Sequence, residues 1–310
     1  MEQNKTSDLW VSITASLFSK IDDEFLFAFR APGGANARLA AWDPFDKSMR
    51  YYKFLLFNAA RSKNREFHAA YSKLGNTSIG NPITVTVFGL QVDIDYLFAV
   101  EEFLFLERHM DVRRLQHVVE IGAGFGRTCH TLLSQIPSIK RYTIVDLPEV
   151  LNLSKAYLAR AVPDLYSKID FIECGATHRW HHLKTDLAIN IDSFQEMRPD
   201  VIDEYMELLI RSSKAFYCKN PIAKYKPEFV GLPALKPDEL LDVFSLGYCR
   251  EIYDIFDEKA LAMAREYYLK AYQPPYNPQA EAGWTLEGDE AMEMFPYVHH
   301  ALYRRLPSGS

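Results

Sequence analysis

Cysteine is scarce and scattered. Cys129, Cys174, Cys218 and Cys249 form no CxxC pair, so they read as reduced thiols of a cytoplasmic protein, not as a disulfide framework. Long apolar runs are missing too. The most apolar stretch, Tyr96 to Leu106, is interrupted by Glu101 and Glu102 and is too short to span a bilayer. The first residues, Met1 to Asp8, are polar and carry no signal-peptide core. No excess of positive charge exists either: 35 Lys and Arg stand against 41 Asp and Glu, a net charge of −6. That balance argues against nucleic acid as a partner and favours a small, even cationic, substrate. Repeats and low-complexity tracts are absent. What remains is ordinary soluble-protein composition, 48% hydrophobic and 25% charged, in 310 residues. A chain of this length can bury one large core or two modest ones.

The most informative stretch is His117-Val-Val-Glu-Ile-Gly-Ala-Gly-Phe-Gly126. An apolar strand reaches Glu120, three glycines follow at alternate positions (Gly122, Gly124, Gly126), and a helical stretch begins at Arg127. Such a unit lets a ligand lie against bare backbone, because no Cβ blocks the approach. A dinucleotide fingerprint, G-x-G-x-x-G, would need its third glycine at position 127, where this chain has Arg127. Glu120 also repels a pyrophosphate and suits a cationic ligand. A second strand, Arg141-Tyr-Thr-Ile-Val-Asp146, ends in an acid at the spacing that places a carboxylate on two ribose hydroxyls. The other reading of Asp146 is a helix N-cap before Pro148. The loop resembles the first motif of class I methyltransferases that use S-adenosylmethionine, a ligand with an ammonium and a sulfonium but no phosphate.

The chain divides into a mainly helical N-terminal region, 1–112, and a second region, 113–310. In the first, Met49, Tyr52, Leu56, Ala59 and Ala60, then Phe67, Ala70, Tyr71 and Leu74, follow three-and-four spacing up to Gly75-Asn76. Residues 83–88 and 90–94 flank Gly89 and predict a hairpin; a helix from Asp95 to Met110 follows. From 116 onward strands and helices alternate, which predicts a parallel sheet wound with helices. Strands are expected near 117–121, 142–146, 169–173, 186–191 and 214–218. Helices are expected near 127–135, 148–160, 199–212 and 237–246. Arg250 to Phe256 and Tyr297 to Tyr303 resemble the antiparallel pair that closes a methyltransferase sheet. The segment between them, 257–296, reads as a lid-like insertion.

The stretch Asp186-Leu-Ala-Ile-Asn-Ile-Asp-Ser-Phe-Gln-Glu-Met197 ends a strand at the carboxyl edge, where open α/β sheets bind ligands. Asn190, Asp192, Ser193, Gln195 and Glu196 would gather there; the plainer reading is a solvated polar loop. Together with Glu120-Ile-Gly-Ala-Gly-Phe-Gly-Arg-Thr128, Tyr142-Thr-Ile-Val-Asp-Leu-Pro148 and Lys219-Asn-Pro221, this string resembles the sugar O-methyltransferase family over about 95–230. A gentamicin-type aminoglycoside N-methyltransferase fits the same frame. The resemblance implies a Rossmann-like class I methyltransferase sheet, S-adenosylmethionine as cofactor, S-adenosylhomocysteine as product, and a sugar or amino sugar as acceptor. Cofactor contacts would come from Glu120, Gly122, Ala123, Gly124, Gly126, Arg127, Thr128, Asp146, Leu147, Cys174, Gly175, Ala176, Asn190, Ile191 and Ser193. Catalytic candidates are Asp192, Glu196 and Gln195, with Asp192 first as the base a hydroxyl needs. Acceptor candidates are Lys219, Asn220, Tyr225, Tyr276 and Trp284, whereas Tyr268 and Tyr272 read as packing residues.

Oxygen and nitrogen both stay open as the methylated atom: the family implies oxygen, and the acidic balance leans to nitrogen. Cys174, His178, His181 and His182 match no zinc spacing and read as a polar loop. Magnesium on Asp192 or Glu196 is the less favoured alternative to a metal-free site. The rival readings are an NAD-dependent sugar dehydrogenase or epimerase and a non-catalytic partner subunit on the same fold. The N-terminal helical region suits a homodimer contact.

Overall fold

The computed structural model describes residues 48–174, 176, 183–234, 236, 244–275 and 283–306. They fall into two compact units. The smaller holds helix α1 (Ser48–Ser62) and most of a hairpin, β1 (Val85–Val87) with β2 (Leu90–Val92). Phe88 and Gly89 at its turn both have positive φ, 48° and 81°, the backbone of the tight hairpin turns that suit strand twist. The larger unit takes residues 63–82 and everything from Val92 on. Helices α2 (Arg65–Tyr71) and α3 (Ile94–His109), read from sequence as N-terminal region, thus belong by their packing with the sheet.

The larger unit continues through β3 (His117–Ile121), α4 (Arg127–Gln135), β4 (Arg141–Asp146), α5 (Pro148–Ala161), β5 (Ile169–Glu173), β6 (Leu187–Ile191), α6 (Pro199–Ser212), β7 (Ala215–Pro221), α7 (Glu258–Ala271), β8 (Trp284–Ala291) and β9 (Val298–Arg305). The seven-stranded sheet runs in the order β5-β4-β3-β6-β7-β9-β8. The first five strands are parallel, and β9 lies antiparallel to both neighbours. This is a Rossmann-like α/β sheet closed by an antiparallel pair. Its central strands are buried nearly throughout, five of five residues in β6 and six of seven in β7, as expected where helices cover both faces. Helices α5 and α6 both open with proline in the first turn, where the missing N–H costs nothing. Asp93 caps α3 by accepting from Tyr96 N–H at 3.0 Å. Strand order reverses between β3 and β6, so the binding crevice of such a sheet lies at their carboxyl ends.

The closing pair differs from expectation. Residues 250–256 form no strand; Ile252 makes a single bridge to Lys224, and Ile252 and Phe256 are exposed. The partner of β9 is instead 284–291, whose Glu287-Gly288-Asp289-Glu290 is too acidic to read as a strand. A bulge between Leu286 and Gly288 breaks its alternation. The supposed insertion is therefore a core helix, α7, an edge strand, β8, and a short turn into β9. Tyr268 and Tyr272 of α7 and its end are buried in the main core, as packing residues should be. The expected helix at 237–246 lies largely outside the described residues. No helix among the described residues is long and apolar enough to cross a membrane.

Candidate active site

Where β3 ends, the chain turns sharply. Gly122 N–H bonds Val145 O at 2.8 Å, and Gly122 sits at φ 72°, where a Cβ would come within 2.2 Å of Ser193 Oγ. Only glycine lets the loops after β3 and β6 touch in this way. Gly124, at φ 58°, is different: its Cβ would meet nothing, so the loop presents open backbone there. Its N–H donates to Asp146 Oδ2 at 3.0 Å, and Leu147 N–H donates to Asp146 Oδ1 at 2.8 Å. Burial raises the Asp146 carboxyl above its ordinary range, against the pull of these N–H groups. Asp146 does not serve as N-cap of α5; that position is Leu147, which makes no side-chain cap. Ala123 is buried, Leu147 exposed, and Cys174 and Ala176 half-buried beyond β5. Gly175 lies outside the described residues.

Behind the loop, charge is buried. Arg127, at the start of α4, donates to Glu102 through two nitrogens at 3.1 and 2.9 Å, and Lys219 Nζ donates to the same carboxylate at 2.7 Å. Thr128 Oγ1 adds a longer bond at 3.4 Å. Glu102 is 1% exposed. Burial alone would raise its carboxyl, but Arg127 and Lys219 overcome this and hold it below the ordinary range. Glu120 is equally buried, but its partners are neutral hydroxyls, Tyr142 at 2.7 Å and Thr128, with no cation bonded to it among the described residues. Burial accordingly pushes Glu120 up to about 7. Glu120, Arg127 and Thr128, expected as cofactor contacts, therefore face inward and support the loop from behind.

On the other side of the switch, Asn190 and Ser193 tie β6 to β3. Asn190 Nδ2 and Ser193 Oγ both donate to Ile121 O at 3.1 Å, and Asn190 Nδ2 also reaches Ser193 Oγ at 2.5 Å. Asn220 Nδ2 donates to Asn190 Oδ1 at 2.9 Å, while its own Oδ1 finds no partner. Ile191 is buried in β6. Asp192 follows at φ 55°, an uncommon conformation for a residue other than glycine. Its N–H bonds Lys219 O at 2.8 Å, and its carboxylate lies 3.7 Å from Lys219 Nζ. Burial raises the Asp192 carboxyl, and Lys219 restrains the rise.

Asp192 and Lys219 line a cavity of about 490 Å³ at the carboxyl edge. Gln195, Lys224, Tyr225, Phe98, Phe295 and Tyr297 are among its walls. Of the expected site residues, Asp192, Gln195, Lys219 and Tyr225 meet here. Glu196 does not; it is exposed in the turn Phe194–Glu196. Trp284 does not either. It is 5% exposed and pairs with Arg305, next to the end of β9 that adjoins the start of β7, so it packs at the opposite sheet edge. Its indole ring was expected to stack on an acceptor; burial in the core precludes that. Tyr276 lies outside the described residues, as do His178, His181 and His182. Among the described residues, no group of three or more His, Cys, Asp or Glu is placed to hold a metal ion. Sequence reasoning missed Glu102, Phe98, Lys224 and Tyr297. The one signal for Glu102 was a carboxylate inside an otherwise apolar helix, which demands a buried partner.

No protein-family model and no curated protein matches the chain. Solved structures do resemble it. One is an O-methyltransferase family protein from Burkholderia thailandensis, 14% identical, over 70% of this chain and 59% of that one, TM-score 0.41. Another is the mitomycin 7-O-methyltransferase MmcR, 13% identical over 88% and 70%, TM-score 0.40. A third is the O-methyltransferase NcsB1 from neocarzinostatin biosynthesis, in complex with S-adenosylmethionine and 2-hydroxy-5-methyl naphthoic acid, 12% identical over 68% and 56%, TM-score 0.40. The chain spans less than two thirds of the first and third of these. Likeness of this degree carries no argument about ligand or reaction, so those rest on the residues.

Proposed function

We propose that this chain is an S-adenosylmethionine-dependent methyltransferase that acts on a hydroxyl of a small-molecule acceptor. The observation that carries this reading is the meeting, at one switch point, of an open glycine loop clasped by Asp146 and a cavity floored by Asp192 and Lys219. A pyrophosphate fits poorly, because the loop's own arginine is turned onto Glu102. A ribose bearing no phosphate fits the Asp146 carboxylate.

When bound, S-adenosylmethionine supplies a methyl group made electrophilic by a sulfonium. Asp146 would accept from the ribose hydroxyls, and the backbone of Gly122–Gly126 would bed the remainder. Asp192 takes the proton of the acceptor hydroxyl as that oxygen attacks; its raised carboxyl pKa suits a base working near neutrality. Lys219, fixed by Glu102, donates to the acceptor oxygen and aligns it. An amine acceptor is less suited, because Lys219 and Lys224 both line the cavity and oppose a second cation. The sugar hydroxyl implied by the resemblance satisfies the same proton transfer.

Titration calorimetry with S-adenosylmethionine and with NAD tests the cofactor. S-adenosylmethionine should bind, and Asp146→Ala should weaken it by about 1.5–3 kcal/mol, the range for hydrogen bonds to a charged group. Binding of NAD in its place would reject the methyltransferase reading. Mass spectrometry of acceptor panels for a 14-dalton gain then tests the reaction.

A further inference from the structure

We infer that the acceptor is a flat, largely apolar ring system carrying an acidic hydroxyl, and that Lys219 is the residue that reads its ionised oxygen. This rests on the methyltransferase reading above and narrows it.

The walls argue first. Phe98 and Phe295 meet edge to face at 5.9 Å between centroids, and Tyr225 and Tyr297 do the same at 5.5 Å. With Phe244 and Met292 they surround the cavity with ring faces and thioether. Among the described residues its polar side chains are Asp192, Gln195, Lys219, Lys224 and the two tyrosine hydroxyls, and several are already engaged within the protein. Gln195 Nε2 donates to Asp192 O at 3.1 Å, and Lys224 Nζ donates to Gln195 O at 3.1 Å. Asp192 and Lys219, 3.7 Å apart, form the charged pair offered to the acceptor hydroxyl. A sugar carries hydroxyls around its whole rim, and those facing the phenylalanine, methionine, leucine and proline walls would lose water without a partner. A planar aromatic ring with one hydroxyl at the charged pair leaves nothing unpaired.

Charge argues second, and independently. Lys219 is 1% exposed. The groups facing it are Glu102 and Glu101 from α3, Arg127 from α4, Asp192, and His300 from β9. Glu101 is paired with Lys63 at 2.5 Å, and burial keeps His300 neutral. Glu102 therefore serves two cations, Arg127 and Lys219, with Asp192 the second carboxylate beside Lys219 and Asp95 a further one acting on Arg127. When Asp192 takes the acceptor proton, its negative charge disappears and the cluster becomes one unit more positive. An ionised acceptor oxygen on Lys219 restores the balance; a cationic amino sugar would add a further positive charge. The step closes as follows: the hydroxyl proton passes to the Asp192 carboxylate, the acceptor oxygen bonds the methyl carbon, and the carbon–sulfur bond breaks with its pair left on sulfur. The products are the methyl ether and S-adenosylhomocysteine, and Asp192 returns its proton to solvent.

The test uses 7-hydroxycoumarin, whose phenol and phenolate absorb at different wavelengths, on the full chain loaded with S-adenosylhomocysteine. Calorimetry first establishes that S-adenosylhomocysteine binds. The coumarin should then bind saturably, with a larger phenolate fraction than in the same buffer without protein. Methyl glucoside and kanamycin should not displace it. Lys219→Met should weaken the coumarin about 10- to 100-fold and return its phenolate fraction to that in buffer, whereas Lys219→Arg should keep the phenolate. Should Lys219→Met not fold, Phe295→Ala at the rim should weaken the coumarin several-fold, and the competition needs only the natural chain. Displacement by methyl glucoside or kanamycin, or an unchanged phenolate fraction in Lys219→Met, overturns the inference. Failure of the coumarin on a chain that binds S-adenosylhomocysteine overturns the acceptor class alone. Failure of S-adenosylhomocysteine to bind rejects the methyltransferase reading and the inference with it.

Discussion

Replacing Glu102 by Gln removes one negative charge from the centre of the larger unit and keeps the side chain's shape. The wild-type carboxylate accepts from Arg127 at 3.1 and 2.9 Å and from Lys219 at 2.7 Å, at 1% exposure. A glutamine has one acceptor oxygen and an amide that donates, so one cation keeps a neutral partner and the other faces an N–H. Breaking a buried pair by removing one partner costs roughly 3–5 kcal/mol, chiefly because the remaining charge stays buried. At about 2–4 °C per kcal/mol for a domain of this size, the midpoint should fall by roughly 6–20 °C. Urea unfolding followed by tryptophan fluorescence would measure the loss, and calorimetry would confirm it at the midpoint. Adding Lys219→Met to Glu102→Gln should recover part of it, because one stranded cation is then gone. Acid should reproduce the effect in the wild type. The Glu102 carboxyl is held low in the fold, so its stabilisation is present above the ordinary carboxylate range and is lost as pH falls through its depressed value. A loss below about 1 kcal/mol, with no recovery in the double variant, would refute the claim that Glu102 neutralises both cations.

Glu120 should show the opposite sign. Its folded carboxyl, lifted to about 7 by burial, makes the fold bind a proton that the unfolded chain gives up. Stability should therefore decline as pH rises from about 4.5 to about 7, and Glu120→Gln should flatten that decline in urea titrations at stepped pH. Gly124→Ala should fold at a cost of roughly 1–2 kcal/mol for its left-handed backbone yet lose S-adenosylmethionine affinity about tenfold or more, since the new Cβ stands on the open side of the loop; unchanged affinity by calorimetry would return the loop to a structural role. Gly122→Ala should be the more destabilising of the two, because its Cβ meets Ser193 at 2.2 Å; equal unfolding midpoints would contradict this. Asp192→Asn should lower turnover about 10²–10⁴-fold by removing the base while leaving cofactor affinity near normal, and the rise of rate with pH should vanish. A variant that keeps that rise places the base elsewhere.

Much of the sheet was legible because its signals are local. The apolar runs of β3, β4 and β6, the glycines after β3, and the prolines opening α5 and α6 each announce themselves within a few residues. The glycine-loop half of the candidate site follows from the same local pattern, since Gly124 and Asp146 meet whenever β3 and β4 pair in parallel. The acceptor half was less legible. Glu102 draws its meaning from Arg127 and Lys219, which come to it through separate strands and helices. Trp284 reads as an exposed aromatic beside a proline-rich stretch, but the pairing of β8 with β9 buries it. Residues 250–256 carry a better strand pattern than 284–291, yet the chain builds its edge strand from the latter. There, Arg265 pairs with Asp289, and Arg108 with Glu290. Those pairings satisfy charges that sequence alone assigns to solvent.

Ser193 and Gly122 touch so closely that the loops after β6 and β3 form one joined piece, anchored on a shared carbonyl, Ile121 O. Asp192 rides on that piece. By contrast, Met292, Phe295 and Tyr297 belong to the turn between the last two strands, with Val298 opening β9, and they share no hydrogen bond with the glycine loop among those described. The molecule is thus modular in a chemical sense. Its proposed reacting end is locked to the glycine loop, while the far wall of the cavity hangs on a turn that can be rewritten. On the proposed function, exchange of 292–297 for other sequences of the same length is a route to new acceptors that leaves the glycine loop and Asp192 in their places.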